Sequence, residues 1–211
     1  MHQGRIILAS RSPRRAQLLR DAGYSLIRVD PPFNDPPQPP VKVVDACALA
    51  TELAHCKAMS LLHDASFHRH TGDVLLAADT IVIAPPPLSE LLGQPSDIDD
   101  ARRMLGILLG NTHTVVTGVA LCHLNTDSSR AHEGLHTFAD VAQVTMGHAP
   151  DAWIDAYLQA GHWQGKAGGY NLTELHEIDV RVAGDPTTVV GLPMMKLRLW
   201  LEHQGFRAMV K

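Results

Sequence analysis

The sequence predicts an α/β protein with a mixed, twisted sheet flanked by helices, and three stretches carry that reading. IILASRSPRRAQLL (6–19) passes from an apolar strand through a Ser/Pro turn into a helical pattern. VLLAADTIVIA (74–84) is apolar enough to be a strand buried on both faces. Thr112 to His123 and Leu135 to about Thr145 are β-branched runs on either side of hairpin-loop chemistry at Asn125 to Ser129, a meander that makes the sheet mixed.

In chain order, Ile6 to Leu8 form the first strand. Ser12 is placed to cap the next helix, and Pro13 sits at its first position, where a missing N–H costs nothing. Ala16, Leu18 and Leu19 supply the buried side, and the helix ends near Gly23. Tyr24 to Val29 read as a second strand. PPFNDPPQPP (31–40) has six prolines in ten residues, which excludes helix and sheet interior and leaves a rigid linker or a loop. Val44 to Leu62 has helical spacing, and HDASFHRHTG (63–72) after it has neither period. Its His63, His68 and His70 read either as metal ligands or as solvated loop residues.

Pro85 to Pro87 end the 74–84 strand, and Asp97 to Leu108 form a helix with acidic residues in its first turn, closed by Gly110 and Asn111. Beyond the meander come a helix from Pro150 to Gln159, the turn GKAGGYNLTE, a strand around Ile178 to Val182, the stretch DPTTVVGLP and a final amphipathic helix, Met194 to His203. There is no internal repeat, and no linker long and polar enough to demand two independent domains.

At 211 residues, with 45% hydrophobic and 19% charged, the chain can bury a real core. A net charge of −4 argues against a general polyanion-binding surface, so any phosphate affinity belongs to a local cationic site and nucleic acid is not an expected partner. Cys47, Cys56 and Cys122 are odd in number and lack CxxC spacing, which reads as buried thiols in a reducing compartment. With no signal-peptide pattern and no apolar window of membrane-spanning length, a cytoplasmic protein without a membrane partner is expected.

Three motifs carry chemistry, and a fourth only spells it. Strand, tight turn and helix start at Ser10 to Arg15 make an anion-binding geometry of free N–H groups, two hydroxyls and the Arg14 and Arg15 guanidinium forks; the same residues also read as a capped surface helix with solvated arginines. Asp79, with Thr80, interrupts an apolar strand. A carboxylate there is costly unless paired, metal-bound or facing a cleft, the alternative being a sheet-end aspartate that caps a loop. Gly165 to Gly169 lacks Walker spacing, so Lys166 reads as a point-charge phosphate contact or as an exposed lysine on a tight turn. HEGLH (132–136) spells a zinc-peptidase motif, but on strand-like sequence residues four apart lie roughly 13 Å apart, too far to share one zinc.

ASRSPRRAQLL resembles the opening signature of the Maf family of nucleotide pyrophosphatases, and later stretches match in the same order: AHCKAM around Lys57, AADTIVI (77–83), GQP with DIDDARRML (93–105), THTVVTGVAL (112–121), GKAGGY and DPTTVVGLP. The resemblance covers most of the chain. It implies one Maf/ITPase-like domain over residues 1–211 with a central nucleotide cleft, two lobes around it being left open, and hydrolysis of a nucleoside triphosphate between the α and β phosphates as a house-cleaning activity. It implies Asp79 and Lys57 as catalytic residues and Ser10, Ser12, Arg14, Arg15, Thr80, Lys166 and Thr173 as substrate contacts. Mg²⁺ or Mn²⁺ is the implied cofactor, without assigned ligands, and a homodimer is left open. It also turns the proline-rich segment into a loop beside the site, with Asp35 as the nearest acidic residue.

The chain departs from the family pattern in two places. Gln94 stands where the family usually has the lysine of Gly-Lys-Pro, and Thr173, next to Glu174, stands where most members carry Gln or Glu. DPTTVVGLP looks more like the subgroup associated with methylated guanine nucleotides than the one handling thymidine and uridine triphosphates. The competing reading is a non-catalytic nucleotide-binding regulator of septum formation, favoured by Gln94 and opposed by Asp79 and Lys57.

Overall fold

The computed structural model describes residues 4–36, 42–124 and 134–208. In chain order they form β1 (Ile6–Ala9), α1 (Pro13–Asp21), β2 (Leu26–Val29), α2 (Ala46–Leu62), β3 (Val74–Ile83), β4 (Leu91–Leu92), α3 (Ile98–Leu108), β5 (Thr112–His123), β6 (His136–Met146), α4 (Asp151–Gln159), β7 (Val180–Ala183), α5 (Pro186–Val190) and α6 (Met194–His203). The sheet runs β2-β1-β3-β5-β6-β7, with the short β4 against β3. β1 is parallel to β2 and to β3, and every other pairing is antiparallel, so the sheet is mixed as expected.

Local chemistry sets the helix starts. Ser12 accepts from the Arg15 N–H with Pro13 at the first position, and Asp45, Asp97 and Asp185 cap α2, α3 and α5 through their side chains. Several boundaries move. α2 starts at Ala46 rather than Val44 because Asp45 takes the cap, which leaves Val44 exposed. Tyr24 packs into the core ahead of β2 instead of joining it, and β7 begins two residues after Ile178, whose N–H closes a turn on Leu175. Two elements have no period long enough to announce them: β4, and α5 inside DPTTVVGLP. The hairpin loop Asn125 to Ser129 lies outside the described residues, as do His132 and Glu133; His136, the other histidine of HEGLH, begins strand β6. No helix of the described residues is long and apolar enough to cross a membrane.

Alternation along β1 sorts the core into two layers. Ile6 and Leu8 pack with Ala16 and Leu19 of α1 and with Leu197 and Leu201 of α6, whereas Ile7 and Ala9 pack with Ala54, Ala58 and Leu61 of α2. A third cluster joins Leu105 and Leu108 of α3 to Val82, Val115 and Tyr157. Burial of each such leucine is worth about 1.5–3 kcal/mol.

The order of the parallel strands fixes where a ligand can sit. From β1 the chain crosses through α1 to β2 on one side, then returns through α2 to β3 on the other, so α1 and α2 cover opposite faces. The crevice beyond the carboxyl end of β1 is therefore a topological switch point, the usual ligand position in an open α/β sheet. β3 outruns β1. Its register with β1 ends at Ala77 and its pairing with β4 starts at Val82, leaving 78–81 without a strand on that side. Asp79 and Thr80 lie in this gap.

Candidate active site

The turn from β1 into α1 forms one wall. Ser10 is buried, its N–H bonded to the carbonyls of Leu8 and Val29, and its Oγ accepts from the Ser12 N–H at 3.2 Å. Arg15 is held on three sides: Nε donates to the Gly191 carbonyl (2.8 Å), one terminal nitrogen to Ser10 Oγ (3.2 Å) and the other to Thr80 Oγ1 (2.9 Å). Gly191 has φ +123°, and a Cβ there would stand 3.0 Å from Arg15 Nε, so glycine is needed both for the turn after α5 and for the close approach of the arginine. Burial pulls the Arg15 pKa down while the Asp79 carboxylate holds it up. A guanidinium remains charged under such opposing influences.

α2 delivers Lys57 to the same opening. Its ammonium contacts Asp79 Oδ1 and lies 2.7 Å from Asp35 Oδ1, bridging Asp35 of the proline-rich segment and the gap in β3. Lys57 and Asp79 are both buried, Asp79 at 6% exposure. The cost anticipated for a carboxylate in that apolar strand is thus met by an ion pair. Burial nonetheless pushes the Asp79 pKa above its ordinary value against the pull of Lys57 and Arg15. Its second oxygen, Oδ2, is buried without a partner among the described residues.

The opposite wall is the glycine-rich turn. Gly168 and Gly169 both have positive φ, and a Cβ would stand 3.2 Å from Val82 Cγ1 at the first and 3.1 Å from Pro95 Cγ at the second. That packing presents Tyr170, whose hydroxyl meets Nε2 of the buried His113 at 2.9 Å. Desolvation lowers the His113 pKa to about 4, so this imidazole is neutral at physiological pH. Asn171 follows: its N–H donates to the Tyr157 hydroxyl (2.9 Å), and its Oδ1 accepts from Arg14 (3.2 Å). Lys166 reaches back to the Gln164 carbonyl at 3.1 Å, its pKa lowered by burial and by Arg14.

These walls enclose a cleft of about 950 Å³, large enough for a nucleotide. Ser10, Ser12, Arg14, Arg15, Lys57, Asp79, Thr80 and Lys166 all line it, as does Gln94. Thr173 does not: it is exposed, because the helical turn at Leu172–Glu174 points its neighbours inward, and Glu174 lines the cleft instead. The lining carries five cations (Arg11, Arg14, Arg15, Lys57, Lys166) against three carboxylates (Asp35, Asp79, Glu174), a positive site in a chain of net charge −4. The residues not anticipated are Asn171, Tyr170 and the buried pair His113 and Thr117; a polar residue inside the β-branched run 112–121 was the signal available for the last two.

Hard oxygen donors suit Mg²⁺ or Mn²⁺, which bind through one or two carboxylates and complete their shell with phosphate oxygens and water. The orphaned Asp79 Oδ2 and the half-exposed Asp35 carboxylate, both gathered at Lys57, fit that requirement. His63, His68 and His70 do not assemble into a metal-binding group; among the described residues the one such group is Glu52, His55 and Cys56 on α2.

The family model described as Maf-like protein matches residues 5–204. The chain belongs to the Maf family. Curated relatives are similar along nearly the whole length. The dTTP/UTP pyrophosphatase of Shouchella clausii is 36% identical over 197 residues, 93% of each chain. That of Geobacter sulfurreducens is 37% identical over 198 residues, 93% of this chain and 95% of the other. That of Bordetella parapertussis is 37% identical over 209 residues, 95% and 93%. Among solved structures, a HAM1 protein from Coxiella burnetii is similar over 70% of this chain and 75% of that one at 15% identity and TM-score 0.39, too distant to bear on the site.

Proposed function

We propose that this Maf-family chain is a nucleoside triphosphate pyrophosphatase that hydrolyses the α–β phosphoanhydride, giving a nucleoside monophosphate and pyrophosphate, in a house-cleaning role. The observation that supports it most is a buried carboxylate, Asp79, paired with Lys57 inside a cationic cleft at the sheet's switch point. Water attacks the α-phosphorus in line, the new P–O bond forms as the bond to the bridging oxygen breaks, and pyrophosphate leaves. Asp79, made more basic than an ordinary carboxylate by burial, orients the water and accepts its proton. Arg14, Arg15, Lys57 and Lys166 meet the charge on the non-bridging and leaving oxygens, with Ser10 and Ser12 adding donors at the start of α1. Asp79 and Asp35 would hold a divalent cation, which would add charge neutralisation at the phosphates.

For the base, the activities named for the relatives favour dTTP and UTP over the methylated guanine suggested by DPTTVVGLP. That stretch forms α5 and the turn after it, where the Gly191 carbonyl holds Arg15, so its sequence reflects arginine placement as well as any base contact. The non-catalytic regulator is not favoured. Purified protein with Mg²⁺ or Mn²⁺ and a nucleotide panel, read through coupled pyrophosphatase, tests the proposal. Pyrophosphate release highest with dTTP or UTP is expected, and none from any triphosphate would reject it.

A further inference from the structure

Thr80 and Thr117 are cross-strand partners on β3 and β5, and their hydroxyls lie 2.9 Å apart. Each hydroxyl has one proton to give. The Thr117 proton goes to the Thr188 carbonyl at 2.7 Å, in a position with no exposure to solvent. Thr117 Oγ1 is therefore an acceptor toward Thr80, and Thr80 is the donor of that pair. Thr80 is left only lone pairs on its other side, where the Arg15 guanidinium donates at 2.9 Å. The far end is fixed too: the Thr188 hydroxyl donates to Asp140 Oδ2 at 2.6 Å, and Lys196 holds Asp140 Oδ1 at 2.6 Å.

From this directed chain we infer that Thr117 is a positioning residue for Arg15, and that Thr80 acts through the arginine rather than as a donor to the substrate. Three of the five guanidinium N–H groups are committed, to Gly191, Ser10 and Thr80. One N–H on each terminal nitrogen remains, a preset fork for two oxygens of a phosphate. A hydroxyl free to rotate at Thr80 would present either its proton or its lone pair to the arginine. The fixed acceptor at Thr117 removes the repulsive choice. The inference gives Thr80, which lines the cleft, a role different from the substrate contact implied by the resemblance, and its kinetic consequence rests on the phosphate-binding role proposed for Arg15.

The experiment combines kinetics with an activity-independent probe. Thr117→Val keeps shape and removes the hydroxyl; kcat should fall at least about tenfold with KM changed less than about threefold, since the charge stays but its aim is lost. Thr117→Ser should restore kcat to within about threefold. Thr80→Ala, at a half-buried position, should lower kcat at least about tenfold in wild type and less than about twofold in an Arg15→Lys background. Additive losses would show that Thr80 donates to substrate directly. The Arg15 Nε–H proton, observed by ¹⁵N-resolved NMR of the free protein, should exchange with water at least about tenfold faster in Thr117→Val and Thr80→Ala. Unchanged exchange in both variants overturns the inference whether or not the protein hydrolyses nucleotides; absence of hydrolysis by wild type with the exchange effect present would reject the proposed reaction alone.

Discussion

Replacing Lys57 by Met should expose what holds Asp79 in place. The two side chains are 10% and 9% exposed, and Lys57 is the stronger of the cations opposing the upward shift of Asp79. Breaking such a buried pair from one side costs about 3–5 kcal/mol when the abandoned charge stays ionised. It need not stay so. The folded Asp79 pKa, already above its unfolded value of 3.8, rises further without Lys57, so the folded state takes up a proton that the unfolded chain releases. For a carboxyl raised in this way, stability is greatest at low pH and is lost as pH rises through the interval between the two values, at about 1.4 kcal/mol per unit. Lys57→Met should therefore be about 3 kcal/mol less stable than wild type at pH 8, and less than about 1 kcal/mol less stable at pH 5. Adding Asp79→Asn should recover most of the pH 8 loss. Urea unfolding followed by tryptophan fluorescence at both pH values measures this. An equal deficit at pH 5 and pH 8, unrelieved by Asp79→Asn, would refute the assignment of a buried, paired carboxylate.

Other expectations follow from the same geometry. His113 titrates at about 4 rather than 6.5, so its contribution to stability is present above pH 6.5 and lost as pH falls toward 4, about 2 kcal/mol by pH 5; His113→Gln should flatten that slope, and superimposable stability–pH curves would count against it. Arg14, whose partner Asn171 leaves it at the cleft surface, should when changed to Ala lower kcat/KM at least about tenfold, and unchanged kinetics in a folded variant would remove it from the site. Gln94 lines the cleft without charge; Gln94→Lys should keep or raise turnover, whereas a large loss without unfolding would show that the site is built on a different charge plan from that of the family pattern.

Much of the arrangement was legible because short-range rules dictate it. The Ser12 cap with Pro13, the acidic start of α3 and the long runs of β3 and β5 each declare themselves within a dozen residues, and the cost of burying Asp79 calls for a partner, a metal or a cleft, of which Lys57 is the partner. What escaped depends on distant pairing. β4 is two residues long and exists because Ala84 and Glu90 close a turn that brings Leu91 against Ile83. α5 reads locally as a turn, and its role in holding Arg15 is visible only when α5 is set against α1. Motif alignment points to Thr173, but in a tight helical turn one position changes which side chain faces the cleft, and Glu174 lines it instead. Thr117 carries no local signal beyond being polar in an apolar strand.

Hydrolysis at the α-phosphorus by water activated at Asp79 can be read from ³¹P NMR of the products formed in ¹⁸O-labelled water from dTTP or UTP with Mg²⁺. Monophosphate carrying the label, unlabelled pyrophosphate, and a rate lower by a factor on the order of 10² or more for Asp79→Asn in a folded protein are expected. Orthophosphate with nucleoside diphosphate, label in the pyrophosphate, or an Asp79→Asn variant that turns over like wild type would contradict it.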